Sequence, residues 1–192
     1  RRACLGHLER ALFGPVGTIG GLVHLVHQGI MKITLFFCAG NYAETLGIHK
    51  VSEMNGAGRR MPWTTLAFSI GALGMMGSPL TAGAVSKAWL TDGATAAGMA
   101  WAIPVLWASS LLNAAYFLPI LWRAWFRPAP AAWPEEHIPR RGWRETAWLL
   151  LLPPLLTAAA TLAAAAWADA PLSPLAWARL IAAREYLGLE TP

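Results

Sequence analysis

The chain has 192 residues, of which 56% are hydrophobic and only 13% are charged. A soluble domain carries about 25% charged residues, so this composition argues against a water-soluble fold. The formal net charge of +5 does not indicate nucleic-acid binding, because the basic residues lie in short segments beside apolar runs and form no continuous stripe. Cys4 lies near the start and Cys38 inside an apolar run, which indicates neither a disulfide framework nor a metal-binding cysteine pair.

Four stretches contain enough apolar residues to cross a hydrocarbon core, which takes about 20 residues of helix. The sequence therefore predicts an all-α fold, a polytopic transmembrane helical bundle that occupies 1–192 as a single region. The predicted spans are 15–42, 63–91, 94–122 and 146–167. Residues 123–145 form a loop rich in proline and charge, and residues 168–192 form a tail in which LAWARLIAARE could make an interfacial helix.

The distribution of lysine and arginine predicts how the bundle is oriented. Eight of these residues lie beside the spans at one end and five at the other, and the positive-inside rule makes the first end cytoplasmic. The first set is Lys50, Arg59, Arg60, Arg123, Arg127, Arg140, Arg141 and Arg144, and the second is Arg1, Arg2, Arg10, Arg179 and Arg184. We therefore expect a multi-pass protein of the cell (inner) membrane with the 123–145 loop in the cytoplasm.

The first span carries four polar side chains that we expect to share one face. With His24 as the reference and about 100° per residue, Gln28 lies at about +40° and Lys32 at about +80°. His27 lies at about −60°, so all four fit a sector of about 140° and stack over about 12 Å of helix. A lysine inside a span is tolerated where it faces a bundle interior or water, and imidazole titrates near neutral pH. Such a row, joined by water, predicts a proton path; helix-packing histidines, or haem or metal coordination by His24 and His27, are the alternatives.

The second span contains a helix-breaking sequence, Gly77-Ser78-Pro79, in its middle. Such breaks free backbone polar groups and are tolerated where they are buried in protein or line a cavity, as in transporter ion sites. Lys87 follows the break by eight residues and is a second candidate for a functional cation inside the membrane. The alternatives are that Lys87 snorkels toward the membrane surface or pairs with Asp92.

Other polar residues have structural explanations. Ser109, Ser110, Asn113 and Tyr116 in the third span suit hydrogen bonds between helices. Glu145, at the head of the fourth span, is interpreted as a helix-start carboxylate. We therefore leave these residues out of the predicted site.

Three segments resemble a known family: HLVHQGIMKITLFFCAG, MNGAGRRMPWTTLAFSIGALGMMGSPLTAGAVSKAWL and SSLLNAAYFLPILWRAWF. They closely resemble the antiporter-like subunits of multisubunit cation/proton antiporters, above all the D-type subunit of the sodium/proton antiporters. The same superfamily includes the proton-pumping membrane subunits of complex I and the membrane subunits of related hydrogenases. The resemblance covers roughly residues 20–167.

The resemblance implies a role for each polar residue of the membrane region. Lys32 corresponds to a lysine on the family's hydrated midplane axis, His24 to a neighbouring relay group, and Lys87 to the residue on the broken helix that passes the proton to the outlet. Where some relatives have a second histidine this chain has Gln28, so His27 or a water would have to bridge. The family fold has about fourteen spans in two inverted repeats, so this chain is expected to be the C-terminal part of a longer subunit, as its Arg-Arg start also suggests.

The resulting hypothesis is a proton-translocating subunit of a multisubunit sodium (monovalent cation)/proton antiporter. It would have no catalytic residue, metal or cofactor, and its partners would be the other membrane subunits, protons, monovalent cations and lipid. One alternative is a proton-pumping membrane subunit of a complex I-like or hydrogenase-type redox complex, in which case the chain would belong to a translocase enzyme. Another is a non-conducting scaffold fragment that binds partner subunits through its helices.

Overall fold

The structure is a computed structural model that describes residues 14–136 and 145–187. This part of the chain contains seven α-helices, one short 3-10 helix at Val51–Glu53 and no strand. The helices are α1 (Pro15–Leu46), α2 (Ala57–Arg60), α3 (Pro62–Met76), α4 (Ala82–Ala96), α5 (Ala102–Phe126), α6 (Trp148–Ala166) and α7 (Pro174–Leu187). The predicted all-α membrane fold is confirmed, and α1, α5 and α6 are each long and apolar enough to cross a membrane.

Some sequence predictions lie outside the described residues. They concern residues 137–144 of the predicted loop and residues 188–192 of the predicted tail. They also concern the residues Arg1, Arg2, Cys4, Arg10, Arg140, Arg141 and Arg144.

α1 is longer than the predicted span because nothing in its sequence stops the helix at residue 42. The helix begins with Pro15, whose fixed φ suits a first helical position. Its last residue is Leu46, and Gly47 follows with a left-handed φ of 63° and donates its amide hydrogen to the Ala43 carbonyl at 2.9 Å. Glycine adopts this conformation without the steric penalty that a Cβ brings, so Gly47 ends the helix.

The second span is broken, as the sequence predicts. α3 ends at Met76 because the next residue, Gly77, has a left-handed φ of 82°. Two amides close the helix end: Gly77 N donates to Gly74 O at 2.9 Å and Ser78 N donates to Leu73 O at 3.0 Å. α4 begins five residues after Gly77. The two halves have 15 residues each, so neither alone could span a membrane.

The third span begins later than predicted. The sequence suggests a helix from residue 94, whereas α4 continues to Ala96 and α5 begins at Ala102. The stop comes from Gly98, which has a φ of 68° and donates its amide hydrogen to the Thr95 carbonyl at 3.0 Å. Pro104 therefore lies in the first turn of α5, while Pro119 lies inside the helix.

α1 lies at the centre of the bundle and packs against α3, α4, α6 and α7. Glycines permit the closest approach between α1 and α4: a Cβ on Gly93 would lie only 2.7 Å from the Cα of Gly17. α3 and α4 also meet closely, because a Cβ on Gly83 would collide with the Gly74 carbonyl. Small residues at such crossings are typical of membrane bundles, and here they bring both halves of the broken span against α1.

The C-terminal part of the described chain packs back onto α1. α7 lies within the predicted tail, and its residues Leu175 and Ala178 are buried against Val23 of α1. The hydroxyls of Thr18 and Tyr186 are 2.9 Å apart, which joins the far end of α7 to the start of α1. This helix therefore covers α1 close to His24.

Candidate functional site

His24 of α1 is held by a hydrogen bond on each ring nitrogen. Nδ1 lies 2.9 Å from Oγ of Ser86 on α4, and Nε2 lies 3.2 Å from Nε2 of Gln28 one turn along α1. Gln28 follows His24 by four residues, which places both on one side of a helix. His24 and Gln28 are half-buried, whereas Ser86 is fully buried. His24 thus joins α1 to the second half of the broken span.

His27 is also directed at α4, but it is more deeply buried. Its side chain is 1% exposed and its Nδ1 lies 2.7 Å from the carbonyl oxygen of Ala82, the first residue of α4. A carbonyl can only accept, so Nδ1 carries the proton and Nε2 has a free lone pair. Within the described ranges Nε2 has no hydrogen-bonding partner. The ring is therefore fixed in one tautomer, with an unused acceptor in the bundle interior.

Lys32 is the one member of the predicted row that makes no hydrogen bond to α4 or to another member of the row. It is exposed and lines a cavity of about 570 Å³ together with His49 and Lys50 from the loop after α1. In the part of the chain that the structure describes, Lys32 makes no hydrogen bond and no ion pair. Aromatic and aliphatic side chains form most of the cavity wall, including Phe36 and Phe117.

Lys87 of α4 turns back to the helix break. Its Nζ donates to the carbonyl oxygen of Met75 at 3.1 Å and to Oγ of Ser110 on α5 at 2.6 Å. In an uninterrupted helix the amide four residues on would donate to that carbonyl, but position 79 is a proline and has no N–H. Asn113 of α5 donates to the same oxygen at 3.3 Å. The ammonium group therefore occupies the place of a missing backbone donor.

This geometry differs from both alternatives considered for Lys87. The side chain is half-buried and contacts the break, so it does not snorkel away from it. The structure places no ion pair between Lys87 and Asp92, both of which are described. The partners of the ammonium group are neutral oxygens.

The predicted break residues shape the place where Lys87 lies. Gly77 allows the lysine to approach, since a Cβ there would lie 2.9 Å from Cδ and 3.1 Å from Nζ of Lys87. Pro79 leaves the Met75 carbonyl without its usual donor. The Ser78 carbonyl accepts a hydrogen bond from Oγ1 of Thr81 at 2.6 Å, which links the break to the start of α4.

Ser86 and Ser110 contact the predicted site residues His24 and Lys87, and Asn113 shares the Met75 carbonyl with Lys87, although the sequence analysis included none of the three in the site. Ser110 and Asn113 were interpreted as helix-packing residues, and their three-residue spacing places them on one face of α5. Ser86 precedes Lys87 directly and contacts His24. The sequence offered a signal only for Ser86, which is adjacent to Lys87; Ser110 and Asn113 lie on another helix and come near Lys87 only through packing.

A second polar cluster lies at the start of α3, around Glu145. This residue is fully buried, and its carboxyl group accepts hydrogen bonds from Trp63 N at 2.8 Å, Thr64 N at 2.7 Å and Thr64 Oγ1 at 2.6 Å. Glu145 is a helix-start carboxylate, but for α3 and not for the fourth span that follows it. Burial raises the pKa of Glu145 above its usual range, and the hydrogen bonds from Thr64 and Trp63 oppose this shift.

The described residues form no group of three or more His, Cys, Asp or Glu side chains that could hold a metal ion. The sequence analysis considered His24 and His27 as a pair that coordinates haem or metal. In the structure, Nδ1 of each lies within hydrogen-bonding distance of an oxygen of α4. The arrangement as a whole joins α1, the broken span and α5 through groups that can hold or release a proton. Chemically, it could accommodate a proton transfer between neighbouring helices.

Comparisons with known proteins show the family and the fold of the chain. The family described as NADH:quinone oxidoreductase/Mrp antiporter, TM matches residues 8–113. The chain is 38% identical over 135 residues to NADH-quinone oxidoreductase subunit N of Desulforudis audaxviator, covering 69% of this chain and 27% of that protein. It is 36% identical over 84 residues to hydrogenase-4 component B of Escherichia coli, covering 44% of this chain and 12% of that protein.

A solved structure shows the same fold. The Mrp complex from Dietzia sp. DQ12-45-1b contains a chain that matches 91% of this one with a TM-score of 0.76 and 23% sequence identity, and the match covers 39% of that chain. This chain thus spans about a quarter or less of the length of the two relatives named above.

Proposed function

This chain belongs to the NADH:quinone oxidoreductase/Mrp antiporter transmembrane family, and on that premise we propose that it forms part of a proton-translocating subunit of a multisubunit sodium (monovalent cation)/proton antiporter. It is an antiporter-like membrane subunit of the type found in Mrp and complex I assemblies. In the proposed function, protons cross the membrane through its lysines and histidines in exchange for a monovalent cation. The existing ion gradient drives the exchange, and the chain catalyses no chemical reaction.

The observation that carries this proposal is the position of Lys87 at the break of the second span. Its ammonium group contacts the Met75 carbonyl and the Ser110 hydroxyl at 3.1 and 2.6 Å, with no carboxylate among these partners. Placing a cation inside a membrane is costly, and such residues mark ion and proton pathways. Neutral partners stabilise the charged form less than a carboxylate would, so the lysine can release its proton more readily.

The contacts of α1 support a relay that reaches Lys87. His24 contacts Ser86, the residue before Lys87, and His27 contacts the first residue of the same helix. We propose that His24 and Lys87 exchange a proton through intervening water and that Lys87 passes it to the outlet. His27 and Gln28 orient or flank this step, and Lys32 receives protons from the cavity that it shares with His49 and Lys50.

The proposal includes a setting for the chain. It would lie in the cell (inner) membrane as the C-terminal part of a subunit of about fourteen spans. Its partners would be other membrane subunits of the complex. The 123–145 loop would lie on the cytoplasmic side.

Cation/proton exchange by the intact subunit in its complex, measured in everted membrane vesicles, tests the proposal. We expect Lys87→Ala and Lys32→Ala each to reduce exchange at least tenfold, since each removes a proton-binding group from the path. Lys87→Arg should be equally impaired, because a guanidinium keeps the charge but does not release a proton at physiological pH. Arg59→Ala is the control, since it removes an exposed cation that lies outside the spans and does not line the cavity beside Lys32. Full exchange in Lys87→Ala and Lys32→Ala would contradict the assigned roles.

The second candidate is a proton-pumping membrane subunit of a redox complex. The 38% identity to NADH-quinone oxidoreductase subunit N favours it. Purification of the intact complex distinguishes the two functions: small antiporter subunits support the first candidate, and quinone- or Fe–S-binding subunits support the second. A complex that contains this chain, assembles normally and exchanges no ions, either in the wild type or in the lysine variants, would support a scaffold role.

A further inference from the structure

Gln28 has an unusual position for a residue of a proton path, because its amide group lies against His24 but cannot itself titrate. Its Nε2 lies 3.2 Å from Nε2 of His24. Its Oε1 is buried and has no hydrogen-bonding partner among the described residues. A buried amide oxygen without a partner is costly unless another state of the protein uses it.

The proton positions around His24 follow from the hydrogen-bonding groups present. The hydroxyl of Ser86 lies 3.2 Å from the Gly83 carbonyl, which can only accept, so Ser86 donates to it. The oxygen of Ser86 then accepts a hydrogen bond from Nδ1–H of His24 at 2.9 Å. Nε2 of His24 consequently has a lone pair, and it accepts the N–H of Gln28. This arrangement describes a neutral His24.

A protonated His24 needs a different partner on Nε2. Both ring nitrogens would then donate, and an amide nitrogen is not an acceptor. Rotation of the Gln28 amide by about 180° exchanges its nitrogen and oxygen, which brings the unused Oε1 to the same position. One side chain can therefore complement both protonation states of His24, each in its own orientation.

We propose that Gln28 is a positioning residue that switches between these two amide orientations as His24 gains and loses a proton. When a hydronium ion delivers the proton, one of its O–H bonds breaks, a neutral water molecule is left, and the Nε2–H bond of His24 forms. The amide exchanges its N–H···N hydrogen bond for one in which Oε1 accepts from Nε2–H. This inference rests on the proposed proton-translocating function.

The amide also interrupts the row along α1. Gln28 lies between His24 and Lys32 but has no proton to give at either end, so protons cannot pass from one to the other through its bonds. The titratable groups near His24 in the described chain are Lys87 of α4, and His27 and Lys32 of α1. Among the helices of the broken span, His24 is bonded to α4 through Ser86, the residue before Lys87, whereas Lys32 lines the cavity. We therefore infer that His24 exchanges protons with the broken span, while Lys32 communicates with the cavity.

The pH profile of cation/proton exchange by the intact complex tests the switch. Gln28→Glu supplies a fixed anionic acceptor that holds the proton on His24, so the midpoint of the profile should move to higher pH by about one unit or more. Gln28→Leu removes the acceptor for the protonated ring, so the midpoint should move to lower pH. Leu25→Ala, at an exposed position three residues before Gln28, is the matched control and should leave the profile unchanged.

The same substitutions in a His24→Gln background distinguish a role through His24 from a general structural effect. We expect the shifts caused by Gln28→Glu and Gln28→Leu to disappear when His24 is absent. Shifts of unchanged size in that background would overturn the proposal. So would a wild-type profile in both Gln28 variants, provided that Lys87→Ala abolishes exchange in the same vesicles. If Lys87→Ala and Lys32→Ala also leave exchange intact, the proposed function itself fails.

Discussion

Lys87 and Glu145 represent two ways in which this chain accommodates an ionisable side chain away from water. Lys87 donates to the neutral oxygens of Met75 and Ser110, so its charge is solvated but not neutralised. The carboxyl group of Glu145 accepts three hydrogen bonds at the N-terminus of α3, where the helix dipole also favours a negative charge. The first arrangement allows proton release, whereas the second joins the loop before α6 to α3.

Replacing Glu145 with Gln should destabilise the protein. The amide would place an NH₂ group against the N–H groups of Trp63 and Thr64, which leaves at least one buried donor without an acceptor. We expect a loss of about 1–3 kcal/mol in the free energy of unfolding, measured by thermal unfolding in detergent. Glu185→Gln, at an exposed position of α7, is the matched control. Equal stabilities of the two variants would contradict the capping role.

The raised pKa of Glu145 makes stability depend on pH in a defined direction. The folded state holds this proton more tightly than the unfolded chain, so the contribution of Glu145 to stability is full at low pH. It is lost as the pH rises from the ordinary value of 4.5 through the raised pKa. Unfolding temperatures measured at successive pH values should show this decline in the wild type and a shallower one in Glu145→Gln. A steeper decline in the variant would refute the assignment.

The two halves of the broken span have different tasks at the element scale. α3 ends in a closed turn in which the carbonyls of Leu73 and Gly74 are satisfied by the next amides, whereas the Met75 carbonyl is left to Lys87 and Asn113. α4 supplies the side chains, since Ser86 faces α1 and Lys87 faces the break. The break therefore brings one backbone acceptor, the Met75 carbonyl, together with two side chains, those of Lys87 and Asn113.

Substitution of Gly77 should disturb this arrangement. Gly77→Ala would force a Cβ into a left-handed conformation, at a cost on the order of 1–2 kcal/mol, and the Cβ would lie 2.9 Å from Cδ of Lys87. We expect a severalfold loss of exchange in vesicles because the lysine must move away from the Met75 carbonyl. Gly29→Ala is the matched control, since a Cβ there meets no atom within 4 Å. Unchanged exchange in Gly77→Ala would show that Lys87 does not require this position.

Much of the element structure could be predicted from the sequence. The apolar lengths predict α1, α5 and α6, and Gly77-Ser78-Pro79 predicts the break, because helix stops of this kind depend on local residues. The start of α5 was harder to predict, because two glycines lie close to it in the sequence. Gly98 follows the end of α4 with a left-handed φ, whereas Gly93 lies inside α4. The difference depends on packing, because Gly93 is needed where α4 meets α1.

Which polar side chains share a sector of α1 could be predicted from the sequence, but their hydrogen-bonding partners could not. Helical periodicity places His24, Gln28 and Lys32 in one sector, and the structure still separates Lys32 from the other two. Which oxygens Lys87 and His24 meet depends on Ser110 and Ser86, whose positions follow from how α5 and α4 pack. Similarly, Glu145 caps α3 and not the helix that follows it, a contact across 82 residues to Trp63.

For the whole molecule, the cavity beside Lys32 is the feature that links the bundle to its surroundings. Its other basic residues, His49 and Lys50, come from the loop after α1, so it extends from within a span to the end of the bundle. The basic side chains of this cavity can bind and release protons, but none of them offers an oxygen ligand to a metal cation. The cavity is therefore better suited to water and protons than to sodium.

Cysteine labelling of the intact protein tests whether this cavity is wet. In a background where Cys4 and Cys38 are replaced by Ser, Lys32→Cys should react with a membrane-impermeant maleimide in everted vesicles, which expose the predicted cytoplasmic side. Leu25→Cys, at an exposed position of the same helix, should remain unlabelled because Leu25 does not line this cavity. Labelling of Lys32→Cys only in right-side-out vesicles would contradict the predicted orientation.

The missing amide at Pro79 has a consequence for how this family can vary. Position 75 contributes only its backbone oxygen to Lys87, so its side chain is free to change without altering that contact. At position 79, by contrast, a proline cannot supply an amide hydrogen to that oxygen, so the lysine has no competing backbone donor there. The binding place of the ammonium group is thus encoded by a residue that need not touch it. A comparison of relatives restricted to side chains around the lysine would overlook the position on which the contact depends.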